Sequence, residues 1–282
     1  MANGTDPTRT IIITGISPLC ALSEATAHCF ANSGATHLAL LGYADDHLEK
    51  VVSNISSKFP HIKIYSQQVD VASSESLGIA SHHIRSTLGS WDVFVHVPSA
   101  HAARCPDTTI RGADEDLWWG SFERNVRSLH FIAKHFFPKM KPNATFLNIV
   151  RTDLDGGGME KDSAGNASGV AAAKVVEYLG EENEAFGLKA MCIVSLPEDN
   201  HVADFIPWVA EHRSNFVHAT TLEARVGIEG YEVVGGELRK REYLEDGTLE
   251  NGTQTFIDIR NGMLKEGTPS DTEKDTEMTN GA

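Results

Sequence analysis

The chain has 282 residues, 41% of them apolar, so it is long enough to bury the core of one large domain. Its formal charge is −15 and no basic stripe is visible, which argues against nucleic acid as a partner. No run of about 18 uncharged apolar residues occurs, and the polar start lacks the apolar segment of a secretory signal, so we expect a cytoplasmic protein without a membrane partner.

Short apolar runs and helical patterns alternate along the chain. Residues 9–14 (RTIIIT) form a β-branched run of the kind that makes a buried parallel strand. After a turn, apolar residues recur at helical spacing over 21–33, and Gly34 provides a helix end. In the same way the pattern predicts strands and helices in turn at 36–41, 45–59, 62–69, 73–88 and 91–97.

The alternation continues to Pro197. The pattern predicts a long helix, a strand, a Gly- and Asp-rich loop, a helix and a strand, at 116–140, 144–150, 153–169, 170–186 and 189–196. This order predicts the α/β class, with a doubly wound, mostly parallel, Rossmann-like sheet in a three-layer αβα arrangement. We predict a single domain over 1–264 and an acidic, disordered tail over 265–282, which has almost no large apolar residues.

The cysteines and histidines predict no metal site. Cys20, Cys29, Cys105 and Cys192 are scattered and form no Cys-x-x-Cys pair, so a disulfide framework is not indicated either. The pair His82-His83 lies on a predicted helix without further ligands at suitable spacing.

Five motifs, in order, resemble those of the short-chain dehydrogenase/reductase (SDR) family. Thr14-Gly15 resembles the start of the cofactor loop T-G-x-x-x-G-x-G, and Asp70-Val71 resembles the pair that lies beside adenine. Residues 91–95 match the strand before the family's Asn-Asn-Ala-Gly turn, and 122–126 (FERNV) resemble the helix with its catalytic Asn. Lys174 falls where the Lys of Tyr-x-x-x-Lys is expected. The resemblance implies an SDR-type fold.

The same resemblance implies NADP(H) as cofactor, a small-molecule substrate and a homodimer or homotetramer. Asn125 and Lys174 would serve both catalysis and the cofactor. The residues that the resemblance places at the cofactor are Gly15, Ser17, Leu19, Asp70, Val71, Asn125 and Lys174.

The predicted cofactor loop departs from the family at its second glycine. Leu19 takes that place, where glycine lets the backbone approach the pyrophosphate, whereas Ala21 is acceptable at the third place. The second strand ends at Gly42, where an acid for the ribose or a base for its phosphate is expected. These changes weaken the prediction of a dinucleotide, although a helix N-terminus still offers N–H groups to a phosphate.

The predicted active site departs further. Val170 stands at the tyrosine position, and Arg151 is the best match for the serine, so the family's proton transfer cannot operate. Arg151 could bind a carboxylate, an enolate or a developing oxyanion. Asp153 or Asp155 could move a proton if burial raised its pKa. The alternative is that Arg151, Asp153 and Asp155 lie in a polar loop and have no chemical role. The catalytic candidates are therefore Asn125, Lys174, Arg151 and Asp153.

Three other features leave alternatives open. Lys174 either contacts the nicotinamide ribose, as the resemblance implies, or is a solvated helix lysine; its place in the apolar run 171–176 favours a sheltered side chain. His96 and His101 are either acid–base groups or buried, hydrogen-bonded imidazoles. Trp118-Trp119 suits a subunit interface or a core.

The sequence supports three hypotheses of function. The first is an atypical NADP(H)-dependent reductase of a small hydrophobic substrate, for example of secondary metabolism, in which an imine or iminium would need little acid catalysis. The second is a non-redox enzyme on the same scaffold, such as a cyclase, isomerase or dehydratase. The third is an inactive partner subunit, which the eroded motifs and the acidic tail would suit.

Overall fold

The β-branched and apolar runs of the sequence form one sheet, and the helical segments connect its strands. The computed structural model describes residues 8–43, 45–98, 109–150, 162–195 and 202–211, and the strand segments 221–224, 231–234, 237–240, 257–260 and 263–266. The chain divides into two units, Met1–Gly227 and Ile228–Ala282.

The sheet of the first unit is parallel throughout its described pairings. The strands are β1 (Thr10–Ile16), β2 (His37–Gly42), β3 (Lys63–Gln68), β4 (Trp91–His96), β5 (Met140–Val150), β6 (Lys189–Ser195) and β7 (Thr221–Ala224). Their order in the sheet is β3-β2-β1-β4-β5-β6-β7. The chain runs outward from β1 to β3 and then returns to place β4 beside β1. This reversal opens a crevice at the carboxyl ends of β1 and β4, where open α/β sheets bind ligands.

Helices connect successive strands, as right-handed crossovers of a parallel sheet require. They are α1 (Ala21–Asn32), α2 (Asp45–Lys58), α3 (Ser74–Thr87), α4 (Glu115–Phe122), α5 (Ser128–Phe136), α6 (Ser163–Glu182) and α7 (Val202–Glu211). A π-helical segment, Glu123–Arg127, joins α4 to α5. Within the described ranges, no helix has the length and apolar character needed to span a bilayer. The predicted doubly wound α/β fold is confirmed.

Aromatic side chains fix β4 against β5 and α5. The Trp91 indole N–H donates to the Phe136 carbonyl at 2.9 Å, so the polar edge of this buried ring is satisfied. The Phe94 ring lies 5.0 Å from that of Phe136 and 5.7 Å from that of Phe146. All four rings are at most 1% exposed. This cluster holds the strand whose carboxyl end forms one wall of the crevice.

Two sequence predictions in the second half of the first unit are wrong. The helix expected over 116–140 is interrupted by the π-helical segment and ends in a short 3₁₀ turn, Phe137–Lys139, after which β5 begins at Met140. The loop expected to reach residue 169 ends earlier, because the Asp162 carboxylate caps α6 by accepting from the Gly165 N–H. Packing stabilises this Gly-containing first turn, which helix propensity alone disfavours.

The second unit contains two antiparallel hairpins among its described residues. One pairs β8 (Tyr231–Val234) with β9 (Glu237–Lys240), and the other pairs β10 (Ile257–Arg260) with β11 (Met263–Glu266). The domain over 1–264 and the disordered tail over 265–282 stay predictions.

Candidate functional site

A buried polar network lies at the crevice, where β1 and β4 end. Thr14 Oγ1 and His96 Nδ1 are 2.7 Å apart, and His96 Nε2 and Ser128 Oγ are 2.9 Å apart. The Ser128 hydroxyl donates to the Arg124 carbonyl, so it accepts a hydrogen bond from His96. The imidazole therefore carries its proton on Nε2 and accepts from the Thr14 hydroxyl. Thr14 Oγ1 in turn accepts from the Val97 N–H at 3.3 Å.

Burial keeps His96 neutral. The ring is 0% exposed, and this loss of solvent lowers its pKa to about 3. The network engages both ring nitrogens, and the imidazole is uncharged near neutral pH. Of the two alternatives, the buried, hydrogen-bonded imidazole is confirmed for His96, whereas His101 lies outside the described residues.

Gly15 is required by the backbone that faces it. Its φ is +81°, and a Cβ at this position would lie 1.9 Å from the Val97 carbonyl oxygen. The close approach of β1 to the end of β4 therefore accounts for this glycine without any cofactor.

The turn between β1 and α1 closes on itself. The Cys20 N–H donates to the Ser17 carbonyl at 3.0 Å, and the Leu19 N–H donates to Ser17 Oγ at 3.2 Å. Ser17 and Cys20 are buried, whereas the Leu19 side chain is 65% exposed. Cys20, the N-cap residue of α1, makes no side-chain capping bond, so among the described residues this helix end can offer N–H groups to an anion. Two N–H groups of the predicted phosphate loop are thus bonded within the turn, whereas the N-terminal end of α1 is not bonded in this way.

The end of β2 has no room for a side chain. A Cβ on Gly42 would lie 2.6 Å from the Ile16 carbonyl oxygen, because β1 continues to Ile16 and pairs with Gly42. An acid or base for the ribose is therefore sterically excluded at this position.

Asp70 and Val71 follow β3, and they differ in exposure to solvent. The Asp70 carboxylate is exposed, and Oδ1 accepts from the Ala72 N–H at 2.9 Å in a local turn. Val71 is 7% exposed and packs in the core. Of these two residues, Asp70 is the one that presents an exposed polar group.

Asn125 bonds to a serine on α6 that has small neighbours. Its Nδ2 donates to Ser168 Oγ at 2.8 Å, and the buried Ser168 hydroxyl donates to the Ala164 carbonyl at 2.6 Å. Helical spacing places the α6 residues Ala164, Gly165, Ala171 and Ala172 one turn from Ser168. Within one turn of Ser168, α6 therefore carries no tyrosine, lysine or other ionisable side chain.

Lys174 lies on another face of α6. Six residues separate it from Ser168, a rotation of about 120° around the helix. Its side chain is 61% exposed, pairs with Glu177 and lies 5.4 Å from the centre of the Tyr178 ring. The hydrogen bond that Lys174 Nζ donates to the Glu177 carboxylate raises the pKa of Lys174. The expectation of a sheltered Lys174 is wrong, because Ala172, Ala173 and Val176 take the buried positions of the run and Lys174 faces outward. The structure does not bring Lys174 and Asn125 together, and the predicted role of Lys174 stays a prediction.

Two of the catalytic candidates, Arg151 and Asp153, lie outside the described residues, as does Asp155. Val170, the residue at the predicted tyrosine position, is 52% exposed on α6.

Arg124, which the motifs did not single out, lies beside the polar network, where its carbonyl accepts from Ser128. Its Nη2 is buried and has no hydrogen-bond partner among the described residues. Burial lowers the pKa of the guanidinium, against the opposing effects of Glu123 and Asp70. Nothing in the FERNV motif distinguishes this arginine from an exposed helix residue, so no sequence signal could have found it.

Thiol and metal chemistry find no support among the described residues. Burial raises the pKa of both Cys29 and Cys192 to about 12, which leaves the thiols protonated and weakly nucleophilic. No three His, Cys, Asp or Glu side chains converge in the described part of the chain.

Comparison with known proteins supports the family. A family model described as enoyl-(acyl carrier protein) reductase matches residues 15–229. No curated protein sequence matches the chain.

Solved structures show the same fold at low identity. L-sorbose reductase from Gluconobacter frateurii, complexed with NADPH and L-sorbose, is 17% identical with a TM-score of 0.66, over 77% of this chain and 95% of its own. An NADPH-bound short chain oxidoreductase from Pseudomonas aeruginosa PAO1, which contains an atypical catalytic center, is 15% identical with a TM-score of 0.68, over 78% and 96% of the two chains. A short-chain dehydrogenase/reductase from Brucella melitensis is 18% identical with a TM-score of 0.66, over 78% and 96%.

These similarities, all below 20% identity, show the fold alone. The family model, however, spans well over half of the sequence. The chain belongs to the short-chain dehydrogenase/reductase family.

Proposed function

We propose that this protein is an atypical NADP(H)-dependent reductase whose hydrophobic substrate arrives already protonated, as an iminium does. The observation that carries the proposal is the face of α6 that meets Asn125, which presents only small side chains. Within one turn of Ser168, this face offers a bound substrate no acid.

The described residues fit the adenosine half of the cofactor. The uncapped first turn of α1 would hold a phosphate, and the exposed Asp70 carboxylate at the end of β3 would accept from the adenine amino group. Among solved structures of this fold, the sorbose reductase and the Pseudomonas oxidoreductase are bound to NADPH. When bound, NADP(H) supplies the hydride.

The chain's own groups would bind and orient the substrate and would not protonate it. His96 is neutral and engaged at both nitrogens, and the Ser168 hydroxyl already donates to Ala164. Asn125 is fixed by Ser168 and would contribute an amide as a neutral hydrogen-bonding group. A ketone gains much from an acid as its oxygen becomes charged, whereas an iminium becomes neutral on reduction and gains little.

The test compares a cyclic imine with the ketone of the same ring under NADPH, by following the loss of NADPH absorbance. We expect turnover of the imine, with a rate that falls as the pH rises through the pKa of the imine. Equal or faster reduction of the ketone would contradict the proposal, because it would require a protein acid.

A non-redox enzyme, such as a cyclase, isomerase or dehydratase, is the second candidate. The Ser17–Cys20 turn favours it, because two of the N–H groups in the predicted phosphate loop are already bonded within the turn. Conversion of a substrate without any nucleotide, lost in the Arg151→Ala variant, would support this candidate. An inactive subunit would instead co-purify with an active homologue and show no turnover alone.

A further inference from the structure

Arg124 lies beside the polar network at the end of β4. Its carbonyl accepts from Ser128, which His96 contacts at the end of β4, so the backbone of Arg124 is fixed there. Burial lowers the pKa of its guanidinium, and the charges of Glu123 and of Asp70, which follows β3, act against this effect. The guanidinium is therefore within electrostatic range of Asp70, where the adenosine half is proposed to bind.

The Arg124 guanidinium packs against Gly120, and one of its nitrogens has no hydrogen-bond partner among the described residues. A Cβ on Gly120 would lie 3.1 Å from Nη1 and 3.2 Å from Nη2, so the glycine leaves only the space that the arginine needs. Nη2 is buried without a partner among the described residues. A buried charged donor without an acceptor is costly, and a bound ion or ligand group is one arrangement that would satisfy it.

The surrounding segment also indicates a functional position. Arg124 lies in the π-helical segment Glu123–Arg127, and π-helical insertions occur frequently at functional sites. Gly42, where family members are expected to carry a group for the ribose, cannot hold a side chain. A cation for a phosphate at this end of the crevice must therefore come from another element.

We propose that Arg124 binds a phosphate group of the ligand at the end of the crevice marked by Asp70. Guanidinium recognises phosphate through two parallel N–H bonds, so Nη2 would gain the acceptor that it lacks. The choice of phosphate over another oxyanion rests on the proposed function, which places a dinucleotide here. The phosphate is either part of the dinucleotide or part of a separate phosphate ester.

The experiment compares Arg124→Gln with Arg127→Gln in the full chain. Arg127 is the matched control because it lies three residues away, is 57% exposed and pairs with Glu123 on the surface. Inorganic phosphate, NADPH and NADH are titrated at constant ionic strength. The shift of the unfolding temperature is the readout for phosphate, and tryptophan fluorescence is the readout for the nucleotides.

We expect phosphate to raise the unfolding temperature of the unmodified protein and of Arg127→Gln, and not of Arg124→Gln. A loss in NADPH affinity of about tenfold or more, with NADH unaffected, identifies the 2′-phosphate as the bound group. An equal loss for both nucleotides identifies the pyrophosphate. A lost phosphate response with unchanged nucleotide affinities identifies a separate phosphate ester.

Equal behaviour of the two glutamine variants in all three titrations would overturn the proposal, as would the absence of any response in the unmodified protein. If NADPH and NADH fail to bind the unmodified protein, the proposed function fails and the phosphate titration alone decides on Arg124. Arg124→Lys replaces the glutamine variant if that variant does not fold, because lysine keeps the charge but lacks the planar guanidinium. We expect Arg124→Lys to lose part of its affinity for phosphate, and an unchanged affinity would count against bidentate binding by the guanidinium.

Discussion

His96 lies between β1 and α5, where the Thr14 and Ser128 hydroxyls hold its two ring nitrogens. This arrangement turns a potential acid–base group into a neutral part of the crevice wall. The same burial makes the histidine a determinant of stability. Because the folded pKa, about 3, lies below the ordinary value of 6.5, the folded state excludes a proton that the unfolded chain accepts.

We predict that His96 makes stability fall as the pH drops. Its contribution is fully present above pH 6.5 and is lost as the pH falls towards 3, by up to about 1.4 kcal/mol per pH unit. Urea unfolding between pH 7 and 5, above the range where most carboxylates titrate, measures this slope. We expect a shallower slope in His96→Asn than in the exposed control His61→Asn. Identical slopes in the two variants would show that His96 is not the group responsible.

Gly15 and Gly34 are glycines for different reasons: Gly34 has a positive φ, and Gly15 has both a positive φ and no space for a side chain. Both have a positive φ, yet a Cβ on Gly34 meets nothing within 4 Å, whereas one on Gly15 meets the Val97 carbonyl at 1.9 Å. We expect Gly34→Ala to lower the free energy of unfolding by about 1 kcal/mol, and Gly15→Ala by about 3 kcal/mol or more. Equal losses in urea unfolding would mean that the close approach of β1 and β4 is not enforced in solution.

At the scale of elements, the Asn125–Ser168 bond couples the π-helical segment to α6. A double-mutant cycle of Asn125→Ala and Ser168→Ala should give a coupling of about 1 kcal/mol in the free energy of unfolding. Ser57→Ala, which removes an exposed helix hydroxyl, should change stability by less than about 0.5 kcal/mol. Additive effects of the two site variants would argue that Asn125 and Ser168 do not interact.

The fold could be predicted from the sequence because its strands are buried, β-branched runs. Residues 9–14 and 189–196, for example, coincide with β1 and β6 to within about two residues. The π-helical segment could not be predicted, because its five residues are fewer than the window over which helical periodicity can be recognised. The early start of α6 could not be predicted either, because it depends on the cap that Asp162 provides.

The site was less predictable than the fold because its chemistry depends on placement. Gly15 and Asn125 were identified by the motifs, and the structure explains each of them by contacts within the protein. The neutrality of His96 follows from complete burial, and the unpaired nitrogen of Arg124 from its surroundings, neither of which a motif encodes. Lys174 fits its motif in spacing and still faces solvent, because spacing does not fix which side of a helix faces the crevice.

At the scale of the whole molecule, the predicted homodimer or homotetramer remains to be measured. Trp119 on α4 and Tyr178 on α6 are 55% and 53% exposed, and large exposed aromatics of this kind favour subunit interfaces. We expect a dimer or larger species by light scattering, and a shift towards monomer in Trp119→Ser. Phe186→Ser, at an exposed residue outside α4 and α6, is the control. A monomeric unmodified protein would contradict the prediction.

We predict that the crevice of this SDR chain binds a dinucleotide. Titration of NADPH into the purified protein, followed by quenching of tryptophan fluorescence with NADH as the comparison, measures this binding. We expect saturable binding at micromolar NADPH, supported by the uncapped first turn of α1 and by Asp70. No binding up to millimolar concentrations of either nucleotide would contradict this prediction, and would leave a cofactor-free enzyme or a partner subunit.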